Sequence, residues 1–179
     1  MTDQTYPVAP NDEARVKMLH DLKILDTASE ETFDRVTEMM TIIFNIPTTI
    51  VSLVDSERQW FKSKQCLDVS ETGRDVAFCN YTIMSDQIFE VTDPQNDERF
   101  KNNPLVTGDL GLRYYCGAPI VVRGFTIGAL CMLDYNERTP LSADHRKVLL
   151  SLANMVSRSI NDRRLLREST VLISELMHS

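Results

Sequence analysis

Cysteine is the residue type here most able to act as nucleophile, redox centre or metal ligand, and the chain has four: Cys66, Cys79, Cys116 and Cys131. None stands in a Cys-x-x-Cys pair. His20, His145 and His178 lie far from them in sequence, so the spacing supports no metal site. A reactive thiol needs a depressed pKa, and no base is adjacent to Cys79 in sequence to supply one. Burial as a small hydrophobe is the plainer role for these side chains. The chain also shows no Ser-His-Asp set, no glycine-rich phosphate loop and no paired-carboxylate signature. No catalytic residue and no metal ligand is assigned from the sequence.

The second group of chemical interest runs from Asp93 to Phe100, where Asp93, Asn96, Asp97, Glu98 and Arg99 follow a short strand. This group has two readings. Asn96 or Asp97 caps a short helix and Arg99 pairs locally, or Arg99 and Asp93 turn inward and fix a polar ligand. Trp60 with Phe61, and Tyr114 with Tyr115, alternate on strands, so one of each pair faces either side.

These residues need elements to position them. Ala14, Met18, Leu22 and Leu25 recur at helical spacing and predict a first helix. Thr27 to Glu30 has the form of a capping box before a second helix with Phe33, Val36, Met40 and Ile43 on its apolar face, stopped before Pro47. Thr48–Val54 and Gln59–Lys64 read as strands, Arg74–Ser85 as mostly helical, and Ile88–Thr92 as a short strand ended by Asp93-Pro94. Tyr114–Val122 and Phe125–Asp134 flank Arg123-Gly124 and predict a tight hairpin. With that loop, Val122 opposes Phe125, Ile120 opposes Ile127, Ala118 opposes Ala129 and Cys116 opposes Cys131. Both faces of the hairpin are apolar, so both must be covered. Ser142 caps a last helix whose stripe runs through Leu149, Leu152, Ala153, Val156 and Ile160, then on through Leu166, Ile173 and Met177. A helix that long outruns one small domain, which predicts a homodimer through the terminal helices.

Length and composition agree with one globular domain. The chain has 179 residues, 42% hydrophobic and 25% charged, with a formal net charge of −7. That acidity argues against nucleic acid and anionic membrane surfaces as partners, since phosphate binding needs clustered Lys and Arg. Arg163, Arg164 and Arg167 sit beside Asp162 and Glu168 and read as a solvated helix face. No apolar run approaches the ~20 residues that span a bilayer. A cytoplasmic location and reduced, unpaired cysteines are therefore expected. The expected layout is a loose leader over residues 1–11, a domain over 12–165 and a helical extension over 166–179.

The ordered set Ile50–Asp55 (IVSLVD), Arg58–Ser63 (RQWFKS), Phe78–Ile83 (FCNYTI), Val91–Phe100 (VTDPQNDERF), Asn103–Val106 (NPLV), Leu112–Ile120 (LRYYCGAPI) and Ile127–Asp134 (IGALCMLD) resembles the GAF domain family in its bacterial sensor branch. The resemblance implies an α+β fold with a six-stranded antiparallel sheet, terminal helices on one face and a ligand cleft on the other, roofed by short helices and loops. Periodicity alone gives five strands; the sixth comes from the resemblance. It also implies a sensory domain binding a small ligand, with no residue pattern that names a cofactor. No cysteine is followed by histidine, as the bilin-attaching branch requires. The histidines fall on terminal helices or the tail, away from a haem position. Phe78, Cys79, Asp93, Arg99, Phe100, Tyr114, Tyr115 and Cys116 are the expected ligand-binding residues. A dimerisation module without ligand, and a thiol-dependent reductase of a small oxidised metabolite, are the alternative functions.

Overall fold

The computed structural model describes residues 6–178. Two helices come first, α1 (Asp12–Asp21) and α2 (Glu31–Ile43). Then follow β1 (Thr48–Val54), β2 (Arg58–Gln65), β3 (Glu71–Gly73), the single-turn helix α3 (Cys79–Thr82), β4 (Phe89–Val91), α4 (Pro104–Thr107), β5 (Tyr114–Val122), β6 (Phe125–Asp134) and α5 (Ala143–His178). The strands form one antiparallel sheet in the order β3-β2-β1-β6-β5-β4. This is the expected α+β architecture.

Two cores follow from the two apolar faces of the central strands. On one side, Leu19, Phe33, Met40, Leu149, Leu152 and Val156 of the three long helices pack on Val51, Leu53, Trp60, Ile120 and Met132. On the other, Phe78, Phe100, Val106 and Leu112 of the roof pack on Ile50, Phe61, Tyr115, Cys131 and Leu133. Each covered face removes from water the apolar surface that the strand pattern presents.

The hairpin turn is as expected: Arg123 and Gly124 both have positive φ, 52° and 82°, and Val122 opposes Phe125. The register beyond it is not. Val121 pairs with Thr126 but Ile120 pairs with Gly128, so Ile127 is an extra residue in β6. That bulge reverses the facing of the β6 residues beyond it, while β5 keeps its alternation, because strand side chains alternate with period two. Cys116 therefore opposes Met132, and Gly117 opposes Cys131. The expected Cys116–Cys131 pair does not exist: Cys116 belongs to the helix-side core and Cys131 to the roof-side core.

Other differences are local. The sixth strand, β3, is three residues long and pairs Arg58–Trp60 of β2, too short for periodicity to reveal. The stretch from Arg74 is broken into a 3₁₀ turn (Arg74–Val76) and α3, with Ala77 extended between them. The capping box does not form. Glu30 is the N-cap of α2 without a side-chain cap, and its carboxylate instead accepts from Lys62 and Arg163 at 2.7 and 2.8 Å. The arginines of α5 do not form the expected solvated face: Arg164, largely covered, pairs with Glu168, while Arg163 and Arg167 donate back to the carbonyls of Lys23 and Asp21. Of the expected loose leader, Tyr6 stacks under the Arg74 guanidinium and the Pro7 carbonyl accepts from Asn80 at 2.6 Å; residues 1–5 lie outside the described residues.

α5 begins where Ser142 accepts from the His145 amide and runs for 36 residues, about 54 Å at 1.5 Å per residue. Leu149, Leu152, Ala153, Val156 and Ile160 are buried, whereas Leu165, Leu166, Leu172, Ile173 and Met177 are exposed. Among the described residues no helix is long and apolar enough to cross a membrane.

Candidate functional site

On the sheet face opposite the long helices, roof and floor come from different parts of the chain. α3 and the segment around Phe100 lie over β1, β5 and β6. Phe78 stacks on Phe100 with centroids 3.9 Å apart, and Tyr115 tilts against Phe78 at 5.2 Å. Tyr81 and Phe89 complete the cluster. Ring pairs at these separations fill the space between α3, β4 and β5.

Beneath this cluster lies a polar knot of buried groups. The Cys79 and Cys131 sulfurs are 3.6 Å apart. The Tyr115 hydroxyl donates to Cys79 Sγ at 3.3 Å and is itself 2.6 Å from Thr82 Oγ1. The Cys131 contact, aided by Tyr115, holds the Cys79 thiol below its usual range against the opposing effect of burial. Cys131 moves the other way, raised by its contact with Cys79 and by burial.

The expected binding residues separate into three places. Phe78, Cys79, Phe100 and Tyr115 come together under the roof. Asp93 and Arg99 sit on its outer rim. The Asp93 carboxylate accepts from the amide and side chain of Asn96, and Arg99 pairs with Asp97 at 2.6 Å while lying 5.0–5.8 Å over the rings of Phe89, Phe100 and Tyr81. The local-pairing reading of this loop is the one the geometry carries. Tyr114 and Cys116 lie on the far side of the sheet, so the alternation of β5 removes them from the roof side. Tyr114 donates to Glu90 at 2.8 Å, and burial with the nearby Glu90 carboxylate pushes the Cys116 thiol up to about 12.

Open space is found elsewhere on the same face. A cavity of about 370 Å³ lies between Ile50, Phe61 and Leu133 of the sheet, Leu67, Val69 and Thr72 around the β2–β3 connection, and Leu105 and Leu110 of the α4 region. Its walls are almost wholly apolar, with Asp68 and Thr72 as the polar residues of its lining. The sequence carried a partial signal for it: Leu67, Val69 and Leu110 are apolar residues within polar, turn-forming connections, and Leu105 follows Pro104 in α4. A wider depression over Trp60 and Lys62 on the other side is shallow, and the ammonium of Lys62 there is already saturated by Thr27, Ala28 and Glu30. Among the described residues no group of three or more His, Cys, Asp or Glu is placed to hold a metal ion.

Comparison with known proteins agrees with this geometry. Over 161 residues the chain is 34% identical to a cyclic di-GMP phosphodiesterase of Pseudomonas aeruginosa, covering 89% of this chain but only 27% of that protein. The chain thus spans about a quarter of the length of that relative. Among solved structures, the GAF domain of an Acinetobacter phosphoenolpyruvate-protein phosphotransferase matches with a TM-score of 0.63 at 12% identity, covering 90% of this chain and 99% of that one. The blue-light absorbing form of the PixJ GAF domain of Thermosynechococcus elongatus matches at 0.61 and 13% identity, covering 96% and 98%. At such identities the likeness is one of fold. The GAF domain family model matches residues 28–160, which take in the whole sheet, α2, both roof helices and the packed part of α5: the chain belongs to the GAF domain family.

Proposed function

We propose that this domain is a non-catalytic sensory module that takes a small, mainly apolar ligand into the cavity beneath the β2–β3 connection and α4, and passes its occupancy along α5 to a second copy. The observation that carries this reading is the cavity itself: about 370 Å³, with an apolar lining and Thr72 and Asp68 to orient one polar end. Apolar walls with a few polar groups are the usual form of a small-molecule site. A route to α5 is present. Phe61 in the cavity wall precedes Lys62, whose ammonium bonds Glu30, and Glu30 also accepts from Arg163 on α5. The Pseudomonas relative is named a phosphodiesterase, but this chain spans only 27% of it. On our reading the shared quarter regulates and does not hydrolyse.

Thermal denaturation with flat heterocycles, medium-chain fatty acids and cyclic dinucleotides tests the site. A binder at about 100 times its Kd stabilises by about 2.7 kcal/mol, or roughly 5–10 °C in a domain of this size. Leu105→Trp, which fills the cavity, should remove that shift with little change in the unliganded melt. Equal shifts in both proteins, or none from any compound, would sink the ligand reading in favour of a dimerisation module, which the filled roof at Phe78 and Phe100 favours. Cyclic di-GMP incubated with the purified chain should remain intact.

The second copy is argued from α5. Leu165, Leu166, Leu172 and Ile173 expose 46–71% of their surface on a helix past its last buried residue, Ile160. Leu165 and Leu172, and likewise Leu166 and Ile173, are one heptad apart, which places them along one stripe, the pattern of paired helices. Light scattering should find a dimer at tens of micromolar, by order of magnitude for such seams. Leu166→Glu with Ile173→Glu should give a folded monomer. A wild-type monomer would remove this part of the proposal.

A further inference from the structure

Cys79 and Cys131 are 52 residues apart in sequence, one on the roof helix α3 and one on a central strand of the floor, yet their sulfurs sit 3.6 Å apart. The meeting depends on the β6 bulge: without Ile127 as an extra residue, Cys131 would face the long helices. The other two cysteines have no such neighbour. Cys66 is exposed, and Cys116 is buried on the opposite side of the sheet. From this juxtaposition we infer that Cys79 and Cys131 are an oxidisable dithiol, a modification site at which a peroxide closes a disulfide that staples the roof to the sheet.

The chemistry is set by what surrounds each sulfur. Tyr115 Oη donates to Cys79 Sγ and accepts from Thr82 Oγ1, so a negative charge on Cys79 would have two donors, the Tyr115 hydroxyl and the Cys131 thiol. The Cys79 sulfur attacks one peroxide oxygen. The O–O bond breaks, and the departing hydroxide takes the Cys79 proton and leaves as water, with Cys79 now a sulfenic acid. The Cys131 sulfur then attacks Cys79 Sγ, the S–O bond breaks, and hydroxide leaves with the Cys131 proton as a second water. Two sulfurs lose two electrons in total, and the peroxide is reduced to two waters. Closing the bond needs the sulfurs to approach from 3.6 Å to about 2.05 Å. α3 is one helical turn of four residues, so a small rigid displacement of the roof suffices. The inference does not rest on the ligand reading, since neither sulfur lines the apolar cavity.

The test uses the full chain with Cys66→Ser, which removes the exposed thiol. Hydrogen peroxide is added to the folded protein, followed by alkylation in denaturant and peptide mapping. Two of the three remaining thiols should be lost, with the Cys79 and Cys131 peptides linked, and the melting temperature should rise by about 10 °C and return on reduction. In Cys131→Ser, the Cys79 sulfenic acid should persist and be trapped by dimedone. Should both cysteines remain alkylatable in denaturant after the folded protein has met peroxide, or link only when peroxide is added after denaturant, the inference is wrong, whether or not the serine variant folds.

Discussion

Arg74→Met should destabilise the domain by about 3–5 kcal/mol, the cost of leaving buried polar partners without their ion. Arg74 is 2% exposed and joins three segments. Its Nε donates to Asn80 Oδ1 at 2.8 Å, and its two terminal nitrogens take both oxygens of Asp12 at 2.8 and 2.7 Å. Asn80 in turn donates to the Pro7 carbonyl, and Arg15, bound to Asp12, donates to the Val54 carbonyl. Removing the guanidinium leaves Asn80 Oδ1 and one oxygen of the Asp12 carboxylate without their partner, and it takes away the group that stacks on Tyr6.

The same network predicts a pH dependence. Burial pushes the Asp12 carboxyl up, but hydrogen bonds from Arg74 and Arg15 outweigh it and hold the pKa below its ordinary 3.8. A group depressed in the folded state adds stability that is fully present above its unfolded value and is lost as pH falls through the folded one. Urea denaturation at about pH 6 and about pH 3 should therefore show the gap between wild type and Arg74→Met narrowing in acid. A gap that is constant with pH, or a loss below about 1 kcal/mol, would refute the role given to this ion pair.

Gly128→Ala should cost about 3 kcal/mol, roughly 6–12 °C in melting temperature. Gly128 pairs with Leu53 where β6 meets β1 at the centre of the sheet. A Cβ placed there would lie 2.0 Å from the Ser52 carbonyl oxygen and 3.0 Å from Leu53 Cα. Both obstacles are backbone in a central strand, so relief requires parting two paired strands and not merely turning a side chain. Gly111→Ala is the contrast: its φ of 61° carries a left-handed penalty of about 1 kcal/mol, but nothing lies within 4 Å of the added carbon. Equal melting temperatures for the two variants would show that the close approach at Gly128 is not a constraint.

Much of the fold was legible from the chain. The helices α2 and α5 repeat apolar residues at the helical period, β1 shows in its β-branched residues and β5 and β6 in their apolar runs. The expected stripe of the first helix fails: α1 ends at Asp21, before Leu22 and Leu25, and buries Arg15 and Leu19. The ordered motifs added the family, the sixth strand and the cleft face. β3, with three residues and no burial alternation, had no period to read. The stretch Arg74–Ser85 reads as mostly helical because its apolar residues suit either a helix or a chain of turns, and only packing on the sheet chooses between them.

The site depended on distances that no local pattern records. One extra residue, Ile127, decided which face Cys131 occupies, and so replaced a sulfur pair within the hairpin by one between roof and floor. The residue after the bulge, Gly128, packs closely on β1, a contact between segments about 75 residues apart in the chain. Arg99 and Asp93 are expected ligand-binding residues, but their partners lie within their own loop. The cavity arose instead where two connections, Leu67–Thr72 and Leu105–Leu110, meet over the sheet. Residue type and spacing determined the elements and the family; the faces, the sulfur contact and the open volume were decided by how those elements pack, since each is a property of groups that adjoin only in the folded chain.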